Sequence, residues 1–274
     1  MQTKIGKYII KNELGRGAFG ITYLAIDPQT NKNYVLKAVL PDEFTALEIK
    51  ALIDLTAKTC NKYLTCYYES FDASLSGTTY KIIVTEYIEG QSLDKIFVSN
   101  PEIFHSPTIL WPIFCQLILG LKYIHDNGYS HHDIKPANII LTSDYTIKYI
   151  DFGLSCKRQC TKGGTLPFQP PESFSNDFDQ DDIDHNKAFD IWSLGITFYN
   201  LADDYRFPFD YGNNDKQLIN NIVNGRYYES TYYRFDDGRT DKFLNKILIR
   251  NPSNRPNIDQ VFKIYINDIA SVAF

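Results

Sequence analysis

The sequence predicts an α+β fold in which strands dominate the first part of the chain and helices dominate the rest. β-Branched and aromatic residues cluster in short segments as far as residue 87, with one helical segment among them. Beyond Gly90, apolar residues recur at helical spacing. The 274 residues fit one large domain or two small ones, and a composition of 43% hydrophobic and 22% charged residues is that of a globular protein.

The strand-rich part contains predicted strands at residues 8–14, 21–27, 34–39, 66–71 and 80–87. A loop over residues 72–78 is expected to separate the last two strands. The helix is predicted to begin at Pro41, because a proline ring pre-sets the backbone for a first helical turn, and Asp42 and Glu43 suit the positive end of the helix dipole. This helix should run to about Lys58.

The helical part has predicted helices at residues 108–127, 187–202, 216–224, 241–248 and 258–268. The first two are separated by an irregular stretch, residues 128–172, which contains one predicted strand at residues 146–150. Irregular stretches of this length inside a compact domain are usually functional. We therefore expect catalytic or binding residues there.

The balance of charges excludes some partners. The chain carries 28 Lys plus Arg against 33 Asp plus Glu, a formal net charge of −5, so neither nucleic acid nor a membrane is expected to bind. The N-terminal residues lack a signal-peptide pattern, and the apolar stretch 109–121 is shorter than the roughly 20 residues of a membrane span. The five scattered cysteines indicate reduced thiols. These features predict a soluble, intracellular, cytoplasmic protein and leave its oligomeric state open.

The segment GRGAFG, residues 15–20, lies between two predicted strands. A hairpin with three glycines lets backbone N–H groups approach a phosphate closely. A dinucleotide-binding loop would instead open a helix, and the following residues, ITYL, are a poor helix start. The pattern indicates a phosphate-binding hairpin, with a merely flexible hairpin as the alternative.

One strand later, Lys37 lies among apolar residues. A lysine in this setting costs stability unless it is paired or functional. Glu48 shares a face of the following helix with Leu52 and Leu55, so it is the natural partner. Two unrelated surface charges are the alternative.

The stretch HHDIKPAN, residues 131–138, and Asp151 just after a predicted strand carry further polar chemistry. Asn138 and Asp151 offer the oxygen ligands that Mg²⁺ prefers. Lys135 offers a positive charge for a phosphoryl oxygen, and Asp133 offers an acceptor for a hydroxyl proton. A polar turn before a strand is the alternative, but it does not explain why a glycine hairpin, a strand lysine and a helix glutamate precede these residues in this order.

These features resemble the catalytic domain of eukaryotic-like protein kinases over essentially the whole chain. The matching segments are GRGAFG at 15–20, Lys37, Glu48, HHDIKPAN at 131–138, DFG at 151–153, PPE at 170–172, DIWSLG at 190–195 and Arg255 in NPSNRP. The phrase FGITYLA is similar to bacterial-type serine/threonine kinases. The resemblance implies a bilobal α+β fold and one kinase domain over residues 1–274, with an N-lobe (1–86), a hinge (87–90) and a C-lobe (91–274).

The resemblance implies ATP and Mg²⁺ as cofactors. The nucleotide would contact the glycine hairpin, the strand lysine with its glutamate, and the hinge backbone, beside which Thr85 is the gatekeeper. The implied nucleotide-binding residues are Leu14, Gly15, Gly17, Gly20, Thr22, Lys37, Glu48, Glu86 and Ile88.

The resemblance also assigns catalytic roles. Asp133 would accept the proton of the substrate hydroxyl, and Lys135 would stabilise the transferring phosphoryl group. Asn138 and Asp151 would hold Mg²⁺. The hydroxyl of Thr165 is expected to contact Asp133 and Lys135.

Further expectations concern the supporting residues. A buried ion pair is implied between Glu172 and Arg255. The short connection from Lys37 to Glu48 predicts a pre-formed ion pair. His132 stands where the family usually has arginine; because histidine is shorter and mostly neutral at pH 7, we predict that it does not anchor a phosphate on the segment after DFG. Val35, where the family usually has alanine, adds bulk beside the expected adenine site.

The implied function is an ATP-dependent serine/threonine protein kinase that transfers the γ-phosphoryl group of Mg-ATP to Ser/Thr hydroxyls of a protein substrate. A pseudokinase scaffold is the first alternative, but it usually lacks one of four residues that are present here, Lys37, Asp133, Asn138 and Asp151. A small-molecule phosphotransferase is the second alternative; that class typically lacks the GT…PPE segment and the partner arginine, both of which are present.

Overall fold

The computed structural model describes residues 3–17, 20–161, 163–175, 178–225 and 238–270. The chain forms two compact units. The first, Met1–Glu89 with Asp151–Gly153, holds the main sheet, and the second, Gly90–Ile150 with Leu154–Phe274, holds most of the helices. The predicted α+β class, with strands first and helices after them, is confirmed.

The first unit is built on a six-stranded antiparallel sheet with the strand order β1-β2-β3-β4-β6-β5. Its strands are β1 (Lys4–Ile5), β2 (Tyr8–Gly17), β3 (Gly20–Asp27), β4 (Lys32–Val39), β5 (Tyr67–Leu75) and β6 (Thr78–Glu86). Leu36, Ile82 and Val84, from the adjacent strands β4 and β6, are fully buried in its core. Strand β4 pairs with β3 on one side and with β6 on the other, and these pairings fix the position of Lys37.

The predicted helix of the first unit is α1 (Glu43–Leu52). It begins at Glu43 and not at Pro41, because Asp42 caps it: the Asp42 carboxylate accepts a hydrogen bond of 2.7 Å from the backbone N–H of Thr45. A π-helical turn, Ile53–Ala57, continues the segment almost to the predicted end.

The predicted loop at residues 72–78 is wrong. Strands β5 and β6 run on to Leu75 and Thr78, which face each other across a two-residue turn. Ser76 and Gly77 have φ values of 51° and 85°, the left-handed conformation that a tight hairpin of this length requires. The polar residues at 72–74 therefore belong to strands, where they alternate with half-buried neighbours.

The second unit contains a small antiparallel sheet and six helices among its described residues. The strands are β7 (Gly90–Ser92), β8 (Ile139–Thr142) and β9 (Ile147–Tyr149), and the helices are α2 (Leu93–Ser99), α3 (Pro107–Asp126), α4 (Ile183–Ala202), α5 (Asp215–Asn224), α6 (Arg239–Ile247) and α7 (Ile258–Asp268). All helices predicted for this part are present. The short elements α2, β7 and β8 were not predicted, since segments of three to seven residues carry too little periodicity.

The core of the second unit is aromatic. Trp111 and Phe114 of α3 pack against Phe198 of α4, Phe243 of α6 and Tyr265 of α7, with ring centroids 3.9–6.5 Å apart. Among the described residues, α3 is also the helix that is long and apolar enough to cross a membrane, and half of its apolar window is buried inside the protein. This packing accounts for the apolar surface of α3.

The expectation of five reduced cysteines is wrong in this structure. Cys60 is bonded to Cys66 and Cys156 to Cys160, and Cys115 remains free. In both pairs the Cα atoms are 5.4 Å apart, which is the usual separation across a disulfide. The cysteines are scattered over the chain as a whole, but each bonded pair is local, with separations of six and four residues.

Candidate active site

Lys37 lies at the centre of an ion cluster in the first unit. Its Nζ atom is 2.7 Å from Glu48 Oε1 and 2.9 Å from Asp151 Oδ1. Strand β4 places the lysine opposite Thr22 on one side and Ile83 on the other, and Glu48 is buried on α1. The ion pair between Lys37 and Glu48 that the sequence predicts is formed, and Asp151 is an additional partner.

One ammonium group is shared by two carboxylates in this cluster. Burial alone would lower the pKa of Lys37, but the attraction of Asp151 and of Glu48 outweighs it and raises the pKa. Burial raises the pKa of Glu48 more than Lys37 lowers it, and Asp151 adds to the rise. With all three groups charged, the cluster carries a net negative charge, which favours binding of a cation.

The backbone at Asp151 is held in an uncommon conformation. Its φ is 62°, in the left-handed region that non-glycine residues rarely adopt. The backbone N–H of Gly153 donates a hydrogen bond of 3.3 Å to Asp151 Oδ1, and a Cβ atom on Gly153 would lie 3.2 Å from that oxygen. Such strain persists where the surrounding structure imposes it, and it is commonest at functional sites.

The glycine hairpin joins β2 to β3, and Gly17 faces Gly20 across it. Gly20 is required by the fold, because its φ is +129° and a Cβ atom would lie 2.1 Å from the carbonyl oxygen of Ala38. A Cβ atom on Gly15 or Gly17 would meet no described atom within 4 Å. Packing therefore does not explain Gly15 and Gly17, whereas close approach of a ligand to the backbone would. Two residues of the predicted loop, 18 and 19, lie outside the described residues.

The remaining residues of the predicted nucleotide site lie on the same sheet and just after it. Leu14 is exposed on β2. The side chain of Glu86 accepts a hydrogen bond of 3.3 Å from the backbone N–H of Cys66, and its own N–H donates to the Cys66 carbonyl at 2.8 Å. These two bonds fix the end of β6, after which Ile88 is buried.

Asp133, Lys135, Asn138 and Thr165 form a hydrogen-bonded cluster in the second unit. Lys135 Nζ is 2.7 Å from Asp133 Oδ2, and Asn138 Nδ2 donates to the same oxygen at 2.8 Å. The Thr165 hydroxyl donates to Asp133 Oδ1 at 2.8 Å and accepts from Lys135 Nζ at 2.6 Å. The expected contacts of Thr165 are thus present, and they show that this cluster can hold a hydroxyl group between a carboxylate and an ammonium group.

Asn138 and Asp151 each offer an oxygen atom that could bind Mg²⁺. The Asn138 amide nitrogen donates to Asp133, which leaves its Oδ1 oxygen as the atom that could bind a cation. The Asp151 carboxylate is partly exposed, and one of its oxygens forms an ion pair with Lys37. Carboxylate and amide oxygens are suitable ligands for this metal.

Asp190 of α4 orients the segment that carries Asp133. Its buried carboxylate accepts hydrogen bonds from the backbone N–H groups of His131 at 2.7 Å and His132 at 2.8 Å. His125 Nε2 lies 2.9 Å from the same carboxylate. Burial would raise the pKa of Asp190, but the hydrogen bond and charge of His125 lower it overall. Sequence reasoning missed His125, because a histidine on an otherwise apolar helix gives no signal of a partner so far along the chain.

The expected Glu172–Arg255 ion pair is formed. Arg255 Nη1 and Nη2 lie 2.7 and 3.0 Å from the two carboxylate oxygens of Glu172, in the forked geometry of a strong pair. The Arg255 side chain is fully buried and also donates to the backbone carbonyls of Ala188, Ile249 and Arg250. The pair ties the PPE segment to the helical core.

His132 is buried and its ring stacks on Phe189, with centroids 4.4 Å apart. Burial lowers its pKa, although Asp190 opposes this, so the ring is neutral at pH 7. A buried side chain without a positive charge is poorly placed to bind a phosphate on the protein surface. That His132 anchors no phosphate on the segment after DFG stays a prediction.

Comparison with known proteins agrees with these features. The sequence model of the protein kinase domain family matches residues 8–265. The chain is 30% identical to serine/threonine-protein kinase Nek1 and 32% identical to serine/threonine-protein kinase Nek3, both of Mus musculus, over 94% and 91% of its length. It is 28% identical to serine/threonine-protein kinase Nek6 of Oryza sativa subsp. japonica over 94%. It spans 21%, 47% and 47% of those three proteins. The chain belongs to the protein kinase domain family.

Proposed function

We propose that this protein is an ATP-dependent serine/threonine protein kinase that transfers the γ-phosphoryl group of Mg-ATP to hydroxyl groups of a protein substrate. The proposal includes the bilobal organisation of the family, with an N-lobe over residues 1–86, a hinge over 87–90 and a C-lobe over 91–274. ATP and Mg²⁺ are general requirements of the family. The intracellular location stays a prediction.

The observation that carries this proposal is the position of the Thr165 hydroxyl. It donates to Asp133 at 2.8 Å and accepts from Lys135 at 2.6 Å. A substrate serine or threonine needs the same two partners, because its proton must be accepted and the phosphoryl group that it attacks must be neutralised. Thr165 thus occupies the environment that a reacting hydroxyl group would use.

Each group then has a distinct task. Asp133 orients the substrate hydroxyl and accepts its proton, while Lys135 stabilises the charge on the transferring group. Lys37, held by Glu48, binds the α and β phosphates, and the glycine hairpin covers them. Mg²⁺, held by Asn138 and Asp151, neutralises phosphate charge. Leu14 and Thr22 line the adenine site, and the backbone from Glu86 to Ile88 binds the adenine edge.

The test is incubation of the purified protein with Mg-ATP labelled at the γ-phosphate and a degenerate peptide library. We expect label on Ser/Thr peptides, none on tyrosine-only peptides, and near-complete loss with Asp133→Asn. Nucleotide binding without transfer to any peptide would identify a scaffold instead. Label on small alcohols or amines but not on peptides would identify a small-molecule phosphotransferase.

A further inference from the structure

A buried cluster in the second unit brings together one imidazole and two sulfur atoms. His132, Cys156 and Cys160 are each at most 6% exposed, and their nitrogen and sulfur atoms all lie within 4.8 Å of one another. The cysteines come shortly after DFG and the histidine immediately precedes Asp133, so the cluster links two segments that are distant in sequence. Neither the proposed phosphoryl transfer nor the ion pairs described above use it.

The ring of His132 lies near the Thr161 backbone and the Asn186 side chain, both of which oppose the lowering of its pKa. Neither Nδ1 nor Nε2 makes a hydrogen bond of good geometry to a described residue. Leaving buried polar atoms unsatisfied costs about 1–3 kcal/mol each, so such atoms call for an explanation. Stacking on Phe189 and the hydrogen bond from the backbone N–H of His132 to the Asp190 carboxylate hold the residue where it is.

Backbone hydrogen bonds fix the positions of Cys156 and Cys160. Cys156 and Ser130 exchange backbone hydrogen bonds of 3.0 and 2.9 Å, and the N–H of Cys160 donates to the carbonyl of Gln180 at 3.0 Å. The Ser130 hydroxyl lies 3.4 Å from the Cys156 sulfur and 3.9 Å from the Cys160 sulfur. The backbone thus aims both sulfur atoms and one hydroxyl at the space beside His132.

We propose that reduction of the Cys156–Cys160 disulfide converts this cluster into a Zn²⁺ site with the ligands His132, Cys156 and Cys160. A dithiol reductant supplies two electrons and two protons to the S–S bond and becomes a disulfide itself. Zn²⁺ then displaces the two thiol protons, and the neutral imidazole donates a nitrogen lone pair. Ser130 or a water molecule takes the fourth position.

The chemistry of the donors selects the metal class. Two thiolates and one imidazole suit Zn²⁺, while Mg²⁺ and Ca²⁺ require oxygen ligands. Tetrahedral bonds of roughly 2.3 Å to sulfur place two sulfur atoms about 3.8 Å apart. That spacing is within the 4.8 Å that spans the ligand atoms of the cluster. Zinc would then fasten the segment after DFG to the residue next to Asp133.

The three other cysteines need control. Cys60, Cys66 and Glu86 also bring their ligand atoms within 4.8 Å of one another, and Cys115 is free. The background protein should therefore carry Cys60→Ser, Cys66→Ser and Cys115→Ser. His132→Gln and Cys156→Ser are the test variants in this background, and His185→Gln, a histidine outside the cluster, is the matched control.

The experiment measures metal binding and not phosphoryl transfer, so its failure is distinguishable from failure of the proposed function. The protein is reduced with a phosphine, desalted without oxygen, mixed with ZnCl₂ and dialysed, and zinc is counted per chain. We expect one zinc in the background protein and in His185→Gln, and none in the oxidised protein. His132→Gln and Cys156→Ser should weaken binding by at least about 10–100-fold, the cost of disturbing even an outer-shell partner.

X-ray absorption at the zinc edge of the loaded background protein checks the ligands without a cluster variant, in case these variants fold poorly. Two sulfur atoms and at least one imidazole nitrogen are expected. Failure of the reduced, folded background protein to retain zinc would overturn the proposal. So would equal binding by folded His132→Gln and Cys156→Ser, or a shell of oxygen and nitrogen alone.

Discussion

The Thr165 hydroxyl donates a hydrogen bond of 2.8 Å to Asp133 Oδ1, and the Thr165 N–H approaches the same oxygen at 3.1 Å. Asp133 is thereby fixed by the segment after DFG as well as by its own neighbours Lys135 and Asn138. The carboxylate is consequently pre-oriented to accept a proton from a hydroxyl group placed where that of Thr165 now lies.

The first prediction tests the carboxylate. Asp133→Asn keeps the size of the side chain but removes its ability to accept the proton. We expect phosphoryl transfer to fall by roughly 10²–10⁴-fold with little change in nucleotide affinity. Peptide phosphorylation and binding of a fluorescent nucleotide measure the two effects. Unchanged phosphorylation by the purified variant would show that Asp133 does not have this role.

The second prediction concerns Lys37 and Glu48, which are 2.7 Å apart. Lys37→Met and Glu48→Gln should each reduce activity strongly, because each variant disturbs the same ion pair. The double variant should lose little more than either single one, since groups that act as a unit are not additive. Glu48→Gln leaves Lys37 with Asp151 alone, so nucleotide affinity should fall in both single variants.

Steady-state rates of the four proteins form the cycle that measures this coupling. Lys50→Met is the matched control, because Lys50 lies on α1 and is an exposed lysine that pairs with Asp54. Losses that simply multiply in the double variant would contradict the predicted coupling.

The third prediction separates two kinds of glycine. Gly20→Ala introduces a Cβ atom 2.1 Å from the Ala38 carbonyl at a φ of +129°, so it should destabilise the fold by at least about 1–3 kcal/mol. Gly17→Ala meets open space, and its free energy of unfolding should change by less than about 1 kcal/mol. Gly17→Ala should nevertheless weaken nucleotide binding, because the new methyl group keeps phosphate away from the backbone. Thermal unfolding and nucleotide titration measure both effects, and a Gly17→Ala protein with unaltered affinity would argue against a phosphate-binding hairpin.

The fourth prediction concerns Glu172 and Arg255. Glu172→Ala leaves the Arg255 guanidinium buried without its carboxylate, and breaking such a pair costs about 3–5 kcal/mol. Glu13→Ala, which removes a partner of the exposed Arg16, should leave stability unchanged. Urea unfolding of the two variants makes the comparison. Equal stability of Glu172→Ala and the unmodified protein would show that the pair is dispensable for the fold.

The sequence predicts those contacts of the site in which a residue needs a partner and a suitable partner lies nearby in the chain. Lys37 on an apolar strand needs a carboxylate, and Glu48 lies one helix away on the inward face, so the pair could be inferred. The third partner, Asp151, could not be inferred as such, because nothing in its local sequence shows that its left-handed backbone turns the carboxylate toward Lys37.

The other contacts that the sequence does not predict join residues that are far apart in the chain. His125 and Asp190 are 65 residues apart, and only the packing of α3 with α4 brings them within 2.9 Å. The Cys156–Cys160 pair is local, yet the sequence does not indicate that His132 lies beside it. The two-residue turn at Ser76 and Gly77 could have been recognised, because a polar residue before glycine is typical of such hairpins.

The last prediction concerns regulation and rests on the burial of His132. Arginine at this position usually binds a phosphate on the segment after DFG, but His132 is fully buried and its pKa is lowered by burial, so it offers no positive charge to the surface. Ser155 is also buried and its hydroxyl donates to the His131 carbonyl, which leaves Thr161 as the more accessible acceptor. We expect that activity does not require phosphorylation of this segment. Phosphatase-treated protein and Thr161→Ala should both keep their rates within about twofold of the untreated protein. A large loss of rate on dephosphorylation, recovered when Thr161 is phosphorylated again, would show that another basic residue has taken over the role of the missing arginine.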